Sequence, residues 1–314
     1  MRKGYSVLMI PVGLMLAIIV LASAFAAAPP DATYVGSDKC LMCHQAMHKN
    51  IVDGWQKSGH AKPFADASEN PEAIKAQFGP DAPLSKDQIK YVLGSGRTRQ
   101  AYVGADFKTL PGEWNTVTNK WEESESVDAR TQCIGCHVSG FKVTDSSWTE
   151  PAVGCESCHG PGSVHTETAD ETKIVNPKRL PNDRRAMVCA HCHSRGTDSD
   201  KARAFSLTYK PGDDLAQTFT LSSVEKRKKN QQHNEFITSK HAAGGMRCET
   251  CHEPHGAGTT QPVQLVRPVN ELCLGCHTQL KSMKDHAPEA ADNANCATPC
   301  HMPDRSHAFV KTTM

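Results

Sequence analysis

The residues able to do chemistry in this chain are its 14 cysteines and 16 histidines, and they are not scattered. Cys133-Ile134-Gly135-Cys136-His137 and Cys155-Glu156-Ser157-Cys158-His159 each set a histidine directly after the second of two cysteines that are separated by two residues. The pattern recurs with Cys40, Cys43 and His44, with Cys189, Cys192 and His193, with Cys248, Cys251 and His252, and with Cys273, Cys276 and His277. A longer variant, with three residues between the cysteines, uses Cys296, Cys300 and His301. These seven sites together use every cysteine of the chain.

A Cys-x-x-Cys-His run reads as a site of covalent haem c attachment. The two thiols form thioethers with the porphyrin, and the histidine becomes the proximal iron ligand. Two intervening residues span the two vinyl positions on one porphyrin edge, and the next residue falls under the iron. Seven covalently attached haems c are therefore expected. Zinc ribbons also use paired cysteines, but they need no histidine after every second one. A disulfide framework needs none either.

These sites must be carried by elements, and the composition says what kind. Hydrophobic residues make up 38% of the chain, against 22 Gly and 19 Pro. That is little apolar side chain to offset the entropy of ordering the backbone. The porphyrin faces are expected to serve as core instead. The predicted fold class is mainly α with extensive irregular loops and a small β-hairpin segment, a multihaem cytochrome c fold.

Residues 1–28 read as a secretory signal, with Arg2 and Lys3 before an apolar core from Val7 to Ala22 and a small-x-small site at Ala24-Phe25-Ala26. Export to the periplasm or cell surface follows. Residues 29–132 form an N-terminal region with one haem site and a haem-free stretch. Ser37-Asp38 is placed to cap a helix that continues from Cys43 to about Lys57. Ile89–Leu93 and Arg99–Val103 flank Gly94-Ser95-Gly96 as a β-hairpin, and Trp114 and Trp121 bracket another turn. Residues 133–200 hold three sites. Residues 201–240 are polar and haem-free, with a turn at Pro211-Gly212, and read as a linker. Residues 241–314 hold the last three sites.

The formal charge of +1 conceals an acidic holoprotein. With propionates and ferric centres included and the leader removed, it becomes about −8 oxidised and about −15 reduced. Nucleic acid is therefore not an expected partner. Lys226-Arg227-Lys228-Lys229 reads as a solvated loop or a propionate partner.

Nine histidines lie outside the proximal positions: His48, His60, His165, His191, His233, His241, His255, His286 and His307. This is two more than full bis-histidine ligation requires. His48 follows His44 by one helical turn and cannot reach the distal face of that haem. His191 lies inside its own motif and could serve only a neighbouring haem. Met246 and Met302 are the thioether alternatives.

Tyr34-Val35-Gly36-Ser37, Ser58-Gly59-His60-Ala61, Thr131-Gln132-Cys133 through His137, and Gly154 through Ser163 with His165 resemble the cytochrome c-554-like multihaem cytochromes. So do Cys251-His252-Glu253-Pro254-His255-Gly256 and Cys300-His301-Met302-Pro303 with Ser306-His307. The resemblance covers most of the mature chain. It places His60, His165, His241, His255, His286 and His307 at distal positions; the histidine count adds His233 as the seventh, with His191 as alternate. The resemblance implies electron transfer in anaerobic or chemolithotrophic respiration, extending to extracellular acceptors. The partners it implies are donor and acceptor redox proteins, with membrane contact only through transient partners.

Two ligands on each iron leave no place for substrate, so no catalytic residue is expected and a carrier is favoured over an enzyme. One alternative is an oxidoreductase with a single open haem acting on a small nitrogen or sulfur compound, with residues 61–132 as a pocket wall. Another expectation concerns assembly: a surplus histidine ligating a haem of the next copy would build a filament.

Overall fold

The computed structural model describes residues 28–225, 230–280, 282–288, 290 and 294–311. The leader read in 1–28 lies outside these except for its last residue, and Lys226-Arg227-Lys228-Lys229 lies outside them entirely.

The chain opens with α1 (Ser37–Met47), which carries the first motif, and α2 (Lys49–Lys57). One helix capped at Ser37 and running to Lys57 was the expectation, and it is corrected in two respects. Gly36 occupies the N-cap with φ 84°, and no side chain caps the helix. The Ser37 hydroxyl instead donates to Glu150 Oε2 at 2.8 Å and accepts from the Cys155 backbone N–H at 3.0 Å. The helix then breaks at His48, where φ is −134° and ψ 43°. Helix α2 is closely docked: a Cβ on Gly54 would stand 2.7 Å from the His255 carbonyl oxygen, so this helix lies directly on backbone that follows the fifth motif.

The haem-free stretch folds as a five-stranded antiparallel meander in chain order: β1 (Phe64–Asp66), β2 (Tyr91–Leu93), β3 (Arg99–Val103), β4 (Thr109–Asn115) and β5 (Lys120–Glu122). Both expected turns are present, with Tyr91 opposite Val103 and Trp114 opposite Trp121. Gly94 has φ 102°, and a Cβ there would meet the Arg99 carbonyl oxygen at 2.6 Å, so only glycine fits the first of these turns. The strand alternation sends Leu93, Val103 and Phe64 to one face, against Ala129, Ile134 and Val138. Val92, Tyr102 and Trp114 face the other way, onto Leu84 and Ile89. The sheet is therefore buried on both sides and has a side-chain core of its own.

Short helices follow, most of them carrying motif residues: α3 (Ala129–Gln132), α4 (Ile134–His137), α5 (Cys155–His159), α6 (Ser163–Thr168) and α7 (Asn182–Ala190). Strands β6 (Gly196–Asp198) and β7 (Phe219–Leu221) pair antiparallel. The stretch between them was expected to be linker. Its apolar residues are packed instead: Tyr209, Leu215 and Phe219 cluster with Ala190 at the end of α7. The Phe205 ring, 1% exposed, fills the space a side chain at Gly135 would need. Residues 201–221 thus lock the second motif to the fourth.

The remaining helices are α8 (Gln232–Phe236), α9 (Lys240–Ala243), α10 (Cys248–Cys251), α11 (Val269–Leu274) and α12 (Met283–His286). Among the described residues all the buried apolar clusters fall between 64 and 219. Beyond 241 the single buried hydrophobic described is Ala287. The architecture is mixed helix and sheet joined by long loops, richer in strand than the mainly α chain expected. No described helix is long and apolar enough to cross a membrane.

Candidate haem-binding sites

Each motif histidine but one faces a second imidazole. Ring centroids are 6.3 Å apart for His44 and His165, 6.1 Å for His159 and His255, and 6.2 Å for His193 and His60. In the C-terminal region they are 6.2 Å for His252 and His307, 6.0 Å for His277 and His241, and 5.9 Å for His301 and His286. Metal–imidazole bonds run about 2 Å, so two rings ligating one ion from opposite sides have centroids about 6 Å apart. The spacing leaves room for one iron between each pair of rings.

Hydrogen bonds on the far ring nitrogen set the orientation. Nδ1 of His159 lies 2.8 Å from the Val175 carbonyl, that of His252 2.9 Å from Val263, and that of His301 3.0 Å from Val310. Among the facing rings, His165 Nδ1 lies 2.9 Å from the Asp170 carbonyl and His307 Nδ1 3.1 Å from that of Arg305. A proton held on Nδ1 leaves the Nε2 lone pair for a metal. Burial also acts on the buried rings. It pushes His159 below its ordinary value, and His193 down to about 4, helped by neighbouring imidazoles.

The distal expectations separate cleanly. His60, His165, His241, His255, His286 and His307 are each brought against a motif histidine. No ring contact is described between His233 or His191 and a motif histidine. His191 turns its Nε2 to the Ser206 carbonyl at 2.9 Å and packs on Tyr209, so its proton sits on the nitrogen a ligand would use. His233 has a buried Nδ1 with no hydrogen bond. His48 stacks on His44 at 5.2 Å. His137 therefore stands alone among the described residues. Its Nδ1 is oriented by the Pro63 carbonyl at 2.9 Å, as those of His159, His252 and His301 are by theirs, but no second imidazole is described against it.

The attachment sulfurs show which sites are neighbours. Cys40 and Cys155 are within hydrogen-bond reach of each other, as are Cys136 and Cys192, Cys189 and Cys248, and Cys273 and Cys296. Cys192 acts electrostatically on Cys158, as does Cys276 on Cys251. The sites thus form a row in the order first, third, fourth, fifth, sixth, seventh. The second site, the one with the lone His137, branches from the fourth.

Two family models match the chain: a doubled CXXCH motif over residues 240–282, and cytochrome c554 and c-prime over residues 103–160. The chain is 24% identical to cytochrome c-554 of Nitrosomonas europaea, an alignment covering 71% of this chain and 84% of that one. The chain is a multihaem c-type cytochrome. It is also 28% identical to the multiheme cytochrome MtrA of Shewanella baltica, over 53% of its own length and 43% of that protein's, so it spans less than half of this relative. In fold the cytochrome is similar to the outer cell wall cytochrome OcwA, with a TM-score of 0.66 at 22% identity, covering 88% of this chain and 79% of that one.

Two carboxylates escaped the reading of motifs. Glu156, inside the third motif and 1% exposed, accepts backbone N–H bonds from Val35, Gly36 and Gly162 at 2.7–3.0 Å. It ties the chain leading into α1 to the third site. Glu150 holds Ser37 through its N–H and hydroxyl. A charged residue inside a motif helix was the available signal for Glu156. Nothing local marked Glu150. Glu156→Gln puts an NH₂ among N–H donors, and a loss of about 3 kcal/mol is expected, read as a lower denaturant midpoint of the holoprotein.

Proposed function

We propose that the cytochrome binds seven haems c at Cys40/Cys43, Cys133/Cys136, Cys155/Cys158, Cys189/Cys192, Cys248/Cys251, Cys273/Cys276 and Cys296/Cys300, and carries electrons along them. His44, His137, His159, His193, His252, His277 and His301 are the proximal ligands in this reading. His165, His255, His60, His307, His241 and His286 close all of these irons except that at His137. The six facing imidazole pairs near 6 Å carry this reading. A bis-histidine iron changes redox state with little rearrangement. The chain's part is to hold the rings, keep the sites adjacent and leave an edge exposed at each end. Cys43, at the first site and so at one end of the row, is exposed. The proposed setting is an exported protein of anaerobic or chemolithotrophic respiration, passing electrons between redox partner proteins at the periplasm or cell surface. Filament assembly is the further proposal, with His233 as the surplus histidine.

A second reading is favoured by His137. Its motif packs against an aromatic group in which Phe64 and Tyr91 of the sheet, Phe107 of the β3–β4 turn and Trp148 meet ring to ring and Cys133 lies alongside. An iron held there by His137 alone has a position for a small nitrogen or sulfur compound, and the branch from the fourth site supplies electrons to it.

Low-temperature EPR of the oxidised protein, with a CO difference spectrum after reduction, tests both readings. Six low-spin haems and one high-spin haem that takes CO are expected. Seven low-spin haems with no CO uptake would remove the second reading. Several high-spin haems would remove the first.

A further inference from the structure

We propose that Glu150 couples proton uptake to reduction of the haems attached through Cys40 and Cys155, an inference that rests on the electron-carrier reading above. These two cysteines belong to the first and third motifs and are neighbours, and the Cys155 backbone N–H is held by the same Ser37 hydroxyl that donates to Glu150. Glu150 and Glu156 both act electrostatically on Cys40, and Glu150 acts on Cys155. One carboxylate pair thus lies against two haem edges at once.

The two carboxylates differ in what fills their oxygens. Backbone N–H donors occupy both oxygens of Glu156. Glu150 receives only the Ser37 N–H at 3.1 Å and the Ser37 hydroxyl at 2.8 Å, both on Oε2. No hydrogen bond reaches its Oε1 among the described residues, and the side chain is half-buried, so a proton from solvent has both a route and a place.

Against the two Ser37 donors, which favour the carboxylate, stand other groups that favour taking one. Asp38 projects from α1 and Glu156 from α5, and Tyr34 lies beside Glu156. Burial, then the charges of Glu156 and Asp38, hold the Glu150 carboxyl above its ordinary value despite the two Ser37 bonds. Close packing leaves no slack: a Cβ at Gly154, the residue before Cys155, would collide with Glu150 Oε2.

An electron delivered by a low-potential redox protein lowers the positive charge at these edges by one unit. The Glu150 carboxylate then binds one proton from water, forming its O–H bond, and reoxidation returns that proton to solvent. Between the two proton affinities, reduction takes up a proton, so the potentials of these haems fall as pH rises. A tenfold difference in proton affinity between the redox states corresponds to about 59 mV for a one-electron couple.

The test is an EPR-monitored redox titration of the holoprotein between about pH 5 and pH 9, for wild type and Glu150→Gln. Two low-spin signals of the wild type are expected to shift downward in potential with rising pH. In Glu150→Gln the same signals should be pH-independent and lie higher, because a neutral amide replaces the charge. An unchanged slope in the variant overturns the proposal and assigns the slope to propionates. If the variant fails to mature, reduced-minus-oxidised infrared spectra of wild type carrying ¹³C-labelled glutamate decide. A protonated-carboxyl band that moves with the label is expected, and the lack of any label-sensitive band overturns the proposal. Absence of the low-spin signals themselves would sink the electron-carrier reading, and this inference with it.

Discussion

Denied haem, the chain is expected to keep its sheet and lose its C-terminal region. The meander β1–β5 has a core independent of any cofactor, with Val92, Tyr102 and Trp114 packed on Ala67, Leu84 and Ile89. Its buried Gln100 is also satisfied from within. Gln100 donates to the Ala73 and Gly94 carbonyls and accepts from the Lys75 N–H and the Tyr102 hydroxyl. Residues 241–311 offer nothing comparable, since their helices α9 to α12 are short and Ala287 is the single buried hydrophobic described there. Helices of a few residues do not persist without a packed face. In the proposed reading the porphyrins at the fifth, sixth and seventh sites are that face. Limited proteolysis of chain produced without haem attachment should therefore cut beyond residue 241 on the order of a hundredfold faster than in the holoprotein. A fragment ending near residue 220 should survive, with the fluorescence of buried Trp114. Equal resistance of both halves would show that the C-terminal region folds without the cofactor.

Replacing His60 is expected to open a second iron at the junction of the row. The His60 ring faces His193, and the fourth site touches the second, third and fifth through Cys192 and Cys189. His60→Ala leaves His193 as the one protein ligand there. CO uptake should rise from one to two per chain, and one low-spin EPR signal should become high-spin. Loss of an imidazole donor also raises the site's potential. Each rise of about 59 mV makes the junction hold its electron tenfold more strongly, so transfer from one end of the row to the other should slow in stopped flow. Added imidazole should restore the low-spin signal, a rescue that a merely misfolded variant would not show. Unchanged CO uptake would mean that His60 does not close this iron.

The haem sites were legible in the sequence because their chemistry is local. Cys189, Cys192 and His193 must be neighbours in the chain to meet one porphyrin, so spacing alone reveals them. The distal rings were partly legible. Counting histidines allowed seven closed irons, yet ring geometry supports six. His191 and His233 are histidines like the others, and only the carbonyl of Ser206 shows that His191 has its nitrogen turned the wrong way for a metal. Phe205, Tyr209, Leu215 and Phe219 lie far enough apart in a polar stretch to read as linker, and only packing on α7 and Gly135 reveals them as structure.

Sequence by itself determined the attachment chemistry, the seven motifs, the turns of the sheet and the shortage of apolar core, because each is a property of neighbouring residues or of composition. Tertiary structure alone decided which ring faces which motif: His165 against His44, His255 against His159, His60 against His193. In each pair the second ring comes from a part of the chain remote from the first, so no spacing rule could join them. The same holds for the branch that leaves His137 alone and for the placing of Glu150 against Ser37 and Cys155, 113 residues from the first of these. Such contacts are set by how α1, α5 and the sheet pack in three dimensions, and packing is not written at any one position of the chain.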